Sequence, residues 1–404
     1  MTASPASGTV RSRRRRAVPA AAFTALLAVV AGCGSPPATT GGATPAPSGS
    51  ASPAVPDTAG ATSAAAGGAT TPATGATTAA AAGGGAFKAC MVLDVGGVDD
   101  RSFNQSAWAG MNAAKKANPD LAVSYVSSAS QNDYTPNLTN ETKQGCKTTI
   151  AVGGLMTDAV TAVAKGNPTA NYAIIDSLIP APNVYSLEFN TAQGAFLGGY
   201  LAAGMTKTGK VGTFGGLKIP PVTVYMDGYW EGVQYYNKAK GKNVAVLGWN
   251  ETTQNGTFSN SFTDSGAGST ATRTLQQQGA DIVFPVAGGS GLGAGAVAQS
   301  AGGKLNLIWV DTDGCVSAAQ YCKYFVSTVF KDITGAVQTY LGQATKGTRT
   351  GAFVGNLANK GTGLSPFHEF DAKVPADLKS ELTQLSADIA GGKVKLGSKA
   401  QPSS

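Results

Sequence analysis

The 404-residue sequence contains a single histidine, His368, within Ser-Pro-Phe-His-Glu-Phe-Asp. That scarcity excludes multi-histidine metal centres, and a lone histidine is more often structural than catalytic. Cysteine is also rare: five residues, with no C-x-x-C spacing, which makes zinc the weaker reading of them. No G-x-S-x-G elbow, H-E-x-x-H pair or P-loop occurs, so the signals of serine hydrolases, zinc proteases and nucleotide triphosphatases are missing. Gly-Leu-Gly-Ala-Gly-Ala at 291–296 matches the loose dinucleotide fingerprint, a weak pattern alone. Catalytic residues, metals and cofactors are therefore not expected.

Long apolar runs are missing as well. The apolar stretch Ala17 to Val30 is shorter than the about 20 residues that span a bilayer. It follows Arg11-Ser12-Arg13-Arg14-Arg15-Arg16 and precedes Ala31-Gly32-Cys33, the layout of a secretory signal over residues 1–32. The small residues before Cys33 resemble the lipobox of bacterial lipoproteins, which implies acylation of Cys33 and a lipid anchor on the extracytoplasmic face of a membrane. Residues 34–86 lack aromatic residues and carry one charge, Asp57; nearly all the rest is Gly, Ala, Ser, Thr or Pro. Such a segment cannot bury enough apolar surface to fold, so 33–86 is expected to be a disordered tether, with a reach of about 40 Å as a flexible coil.

Charge of one sign is not concentrated in the remainder. Five of the positive charges are the arginines at 11–16 and the tether carries one acid, so the formal +7 falls to +3 over residues 87–404. Nothing there argues for a nucleic-acid partner.

What is present is a repeating alternation. Candidate strands are 90–95, 122–128, 148–154, 172–176, 210–216, 243–249, 281–289, 305–311 and 324–330, separated by helix-like segments such as 102–117, 157–165, 191–206, 227–240 and 269–278. Near-continuous apolar strands alternating with helices predict an α/β protein with parallel sheets covered on both faces. The 318 residues from 87 to 404 exceed one ordinary core, so two lobes are expected. The strands end in Asp94-Val95-Gly96-Gly97, Gly153-Gly154, Gly215-Gly216, Gly288-Gly289 and Asp311, so polar and flexible residues gather where open α/β sheets bind ligands. The four cysteines after Cys33 allow three disulfide connectivities. Cys90 opens the first strand and Cys146 precedes the third, neighbours in a sheet of order 2-1-3, which makes that bridge reasonable and leaves Cys315 with Cys322.

In Asp-Val-Gly-Gly-Val-Asp-Asp-Arg-Ser-Phe-Asn-Gln-Ser-Ala-Trp (94–108), Ser102 and Gln105 fit a capping box that opens a helix. Phe103 and Asn104 then fall in its first turn, facing the cleft end of the strand. This stretch resembles the first strand-loop-helix of the basic membrane protein family, substrate-binding lipoproteins of ABC transporters that include purine nucleoside receptors. Segments 152–160, 212–233, 280–297, 309–314 and 329–337 resemble further family motifs in the same order.

The resemblance implies a type I periplasmic-binding-protein fold: two doubly wound parallel-sheet lobes joined by a three-segment hinge. It places 87–190 with 323–347 in the first lobe, and 191–322 with 348–404 in the second. It implies that Phe103 stacks on a base while Asn104 and Asp158 bond the base edge. Gly288 and Gly289 would bring backbone near the ligand, and Asp311 and Lys331 would hold sugar hydroxyls. Asp94 ends the first strand in the same region. Trp249 is the candidate second aromatic and Phe258 its alternative. The partners implied are a nucleoside and permease subunits. A binding protein or sensor for another small ligand, such as a sugar or amino acid, is the competing expectation, since fold does not fix ligand.

Overall fold

The computed structural model describes residues 87–402; the expected signal, Cys33 and tether lie outside them. The chain begins with β1 (Phe87–Leu93), α1 (Phe103–Ala117), β2 (Leu121–Ser127), α2 (Tyr134–Lys143), β3 (Thr148–Val152), α3 (Thr157–Gly166), β4 (Asn171–Ile175) and β5 (Val184–Phe189). It continues through α4 (Thr191–Met205), β6 (Lys210–Gly215), α5 (Pro220–Lys240), β7 (Ala245–Leu247) and a two-residue hairpin, β8 (Trp249–Asn250) and β9 (Asn255–Gly256). Next come α6 (Ser265–Gln277), β10 (Ile282–Val286), α7 (Leu292–Ser300), β11 (Asn306–Asp311), the short α8 (Gly314–Ser317) and β12 (Phe325–Lys331). The last elements are α9 (Ile333–Ala344), β13 (Gly351–Gly355), β14 (Thr362–Leu364) and α10 (Ala376–Ala390).

Two six-stranded sheets form the lobes, in the orders β13-β5-β4-β3-β1-β2 and β14-β12-β11-β10-β6-β7. The first is parallel throughout, and in the second only β14 runs antiparallel. β3 and β10 are buried at every position, because helices cover both faces and each face has its own apolar cluster. The architecture is the expected type I periplasmic-binding-protein fold. Cys90 pairs with Cys146 and Cys315 with Cys322; the first bridge joins β1 to the entrance of its neighbour β3.

The chain crosses between lobes three times, at Asn190, at Asp332 and along 356–361. The crossings lie side by side: Asn190 N–H donates to Gly355 O at 2.7 Å and Asp332 N–H to Gly361 O at 2.9 Å. Lobe membership of the late segments differs from the expected boundaries. β12 lies beside β11 in the second sheet, while β13 pairs with β5 in the first. Within 323–347, the helix α9 is what joins the first lobe, packing Val337 and Tyr340 into the cluster of Met91 and Met111. A strand's own residues state that it is a strand; which lobe it enters depends on a partner far away in sequence.

α4 is apolar nearly all round, as a helix enclosed on every side must be. It meets α5 backbone to backbone: a Cβ on Gly199 would strike the Tyr229 carbonyl, and one on Gly232 the Phe196 carbonyl. After α10 the tail folds back along α5, where Gly397 N–H donates to Glu231 and Ser398 Oγ to Asp227. Among the described residues, no helix is long and apolar enough to cross a membrane.

Candidate ligand-binding cleft

The strands of the two sheets end at a common cleft between the lobes, the place where open α/β sheets bind ligands. The first lobe contributes Asp94 after β1, Phe103 and Asn104 on α1, Gly153 to Leu155 after β3 and Asp176 after β4. The second contributes Tyr225 from α5, Phe262 from the loop before α6, Gly288 after β10, Asp311 from β11 and Lys331 from β12.

Lys331 joins the lobes. Its ammonium lies 2.5 Å from Asp176 Oδ2 and 3.7 Å from Asp311 Oδ1, and 4.7 Å from the centre of the Phe103 ring, within cation–π range. Asp311 also accepts from Tyr225 Oη at 2.7 Å and, across the cleft, from Ser102 Oγ at 2.5 Å. Asp176 and Asp311 hold φ of 62° and 65°, left-handed conformations that aspartate tolerates better than most residues. Both occur where a strand must turn abruptly at the cleft floor.

The carboxylates outnumber the cation. Burial is the main cause raising Asp94 to about 6; Asn104 and the Gly96 N–H oppose it, and the charges of Asp176 and Asp311 add to it. Burial raises Asp100 to about 7 despite three backbone N–H donors. Asp176 is also raised, desolvation outweighing Lys331. The cleft suits neutral ligands rich in hydrogen-bond donors and opposes anions.

Six of the expected site residues, Asp94, Phe103, Asn104, Gly288, Asp311 and Lys331, line this cleft. Gly289 lines the adjoining groove with Gly96 and Thr263. Asp158 is exposed and lies apart, because a 3-10 turn at Gly154–Met156 separates β3 from α3 and brings Leu155 to the cleft instead. Trp249 is core: it is 3% exposed, its Nε1 donates to Asp227 at 2.9 Å, and Phe258 packs against it edge-on. β7, the strand before it, is the sheet's edge, away from the central strands that end at the cleft. The aromatic that lines the cleft from this polar loop is Phe262.

The Ser102 capping box does not form. Asp100 caps the helix in its place, accepting from the N–H groups of Ser102, Asn104 and Gln105 at 2.9, 2.8 and 3.1 Å, which frees Ser102 Oγ for Asp311. Asp176 carried a readable signal, since it ends an apolar strand just as Asp94 and Asp311 do; Tyr225 and Phe262 carried none. His368 pairs with Asp313 at 2.7 Å outside the cleft. The glycines at 291, 293 and 295 admit Trp309, Ser269 and Tyr321 in close packing, which accounts for the dinucleotide-like pattern.

The profile of the Bmp family, described as "ABC transporter substrate-binding protein PnrA-like", matches residues 87–380. The chain is 31% identical over 332 residues to "ABC transporter nucleoside-binding protein BmpA" of Lactococcus lactis subsp. cremoris, covering 77% of this chain and 89% of that one. It is 30% identical over 311 residues to "Basic membrane protein A1" of Borrelia garinii subsp. bavariensis, covering 75% and 86%. A solute-binding protein of an ABC transporter system from Aeropyrum pernix K1 superposes with a TM-score of 0.70 over 76% of this chain and 92% of that one, at 24% identity, a likeness of fold. With an interlobe cleft built from the family's motif segments, the chain belongs to the Bmp family, the PnrA-like substrate-binding proteins of ABC transporters.

Proposed function

We propose that the protein captures a nucleoside, a purine nucleoside foremost, between its lobes and delivers it to an ABC permease. It would do so on the outer face of the cell membrane, held by acyl chains on Cys33 and the tether that follows. The observation that carries this reading is the meeting of Phe103, Asn104, Asp311 and Lys331, scattered over more than half the folded chain, at one cleft. An aromatic ring suits the flat face of a base, where offset stacking adds about 0.5–1.5 kcal/mol beyond buried area. Asn104 and Asp94 suit a base edge. Asp311 and Lys331 suit ribose hydroxyls, to which a carboxylate makes strong charge-assisted bonds. The excess of acids over Lys331 favours nucleosides over nucleotides, whose phosphate would be repelled in a desolvated site. The nucleoside-binding relative from Lactococcus lactis supports the same ligand class.

A thermal-shift series with nucleosides, nucleoside monophosphates, sugars and amino acids tests it. Stabilisation by purine nucleosides, and less by their 5′-phosphates, is expected. Stabilisation by a sugar or an amino acid and by no nucleoside would reject the ligand class while leaving the family membership intact.

A further inference from the structure

Asn104 is 1% exposed, and its amide has a defined polarity. The Nδ2 group donates to Asp94 Oδ1 at 2.8 Å and to Asp100 Oδ2 at 3.1 Å, so both amide protons are committed to carboxylates. Its Oδ1 is buried with no hydrogen-bond partner among the described residues. An asparagine amide can ordinarily be turned over. Here the turned form would press the oxygen against two carboxylate oxygens and leave the NH2 group without acceptors.

Neither acid is free to move aside. Asp100 is 3% exposed and is held by the three backbone N–H groups that it caps. Asp94 Oδ1 also accepts from Gly96 N–H at 2.9 Å, and Asp94 Oδ2 has no hydrogen bond to any described residue. Gly96 is part of the same arrangement: a Cβ there would stand 2.6 Å from Asn104 Nδ2. An unpartnered, buried acceptor on a residue lining the cleft calls for a donor on the ligand, because leaving such a group unsatisfied is costly.

We propose that Asp100 is a positioning residue for ligand choice: with Asp94 it locks the Asn104 amide, so this wall presents only acceptors and the site selects bases by the N–H donors on their edge. The inference rests on the nucleoside reading of the cleft and narrows it. Guanine offers a ring N–H beside an amino group, and adenine offers an amino group. Unsubstituted purine offers only ring-nitrogen lone pairs, which would face Asn104 Oδ1 and Asp94 with nothing to share.

The test is calorimetric titration of the protein with guanosine, adenosine and purine riboside, repeated on Asp100→Asn. In the unaltered protein, purine riboside should bind at least about tenfold more weakly than adenosine, the loss expected for one hydrogen bond to a charged or otherwise unpaired buried acceptor. Asp100→Asn keeps the shape and exchanges one carboxylate oxygen for an NH2 donor. With its remaining oxygen held by the Ser102 and Gln105 N–H groups, the NH2 faces Asn104 and favours the turned amide, so the adenosine-to-purine-riboside ratio should shrink toward one. A merely structural role for Asp100 would weaken all three ligands alike and leave that ratio standing, which would overturn the assignment to Asp100. Purine riboside binding within about twofold of adenosine in the unaltered protein would overturn donor selection itself, and this comparison holds even where the variant does not fold. Should none of the three bind, the nucleoside reading falls and this inference falls with it.

Discussion

Three side chains from both lobes, Ser102, Tyr225 and Lys331, converge on the two oxygens of Asp311. Asp311→Ala should weaken nucleoside binding by about tenfold or more, beyond the loss of an ordinary hydrogen bond, while Glu369→Ala on the exposed surface should leave it unchanged; titration calorimetry reads both. The raised acids also set a pH dependence. Asp94 near 6 and Asp100 near 7 bind protons more tightly in the folded protein than at the usual 3.8. Their contribution to stability is complete below about pH 4 and is lost as pH rises through 6 and then 7. The melting temperature of the ligand-free protein should therefore rise on going from pH 8 to pH 5.5, and Asp100→Asn should flatten that rise. A melting temperature that falls on acidification would contradict the burial argument. Asp94 and Asp311 were legible in the sequence because each breaks an apolar strand at its carboxyl end. The role of Asp158 rests on the family resemblance alone, and a likeness of segments does not show that the 3-10 turn at Gly154–Met156 sets this aspartate on the exposed side of α3.

At the scale of elements, alternation of strand and helix was readable wherever the strand was central and apolar. β5, β13 and β14 were not: β5 begins in a run of turn residues, and the other two are short and bounded by glycine. α5 starts at Pro220, seven residues before the expected 227, because Pro220 and Pro221 sit in its first turn, where a missing N–H costs nothing. The misassigned lobe of β12 has a different origin, since parallel partners are set by contacts between distant segments. The α4–α5 contact makes its own prediction. With carbonyl groups lying where a Cβ would be placed, Gly199→Ala or Gly232→Ala must push the helices apart, destabilising by about 1–3 kcal/mol or more. Gly342→Ala, on an open face of α9, should be neutral or slightly stabilising; denaturant melts distinguish the two sites.

On the scale of the whole molecule, three side-by-side crossings permit a hinge motion that buries a ligand, and Lys331 with Asp176 and Ser102 with Asp311 tie the lobes when they are together. Lys331→Met would leave Asp176 buried and unpaired, so it should both weaken ligand binding and lower stability, an effect visible as a lower melting temperature before any ligand is added. The tail described above adds something to this motion. It is fastened to the second lobe at Asp227 and Glu231, yet Ala400 and Pro402 line a chamber whose other wall includes Leu155, Thr157 and Ser177 of the first. Swinging the lobes apart opens that chamber and uncovers the side of the segment that faces the first lobe, and Lys395 and Lys399 lie along it. Trypsin should nick the tail readily in a protein without ligand and slowly in one saturated with it, which turns the last turn of chain into a built-in gauge of how wide the jaws stand.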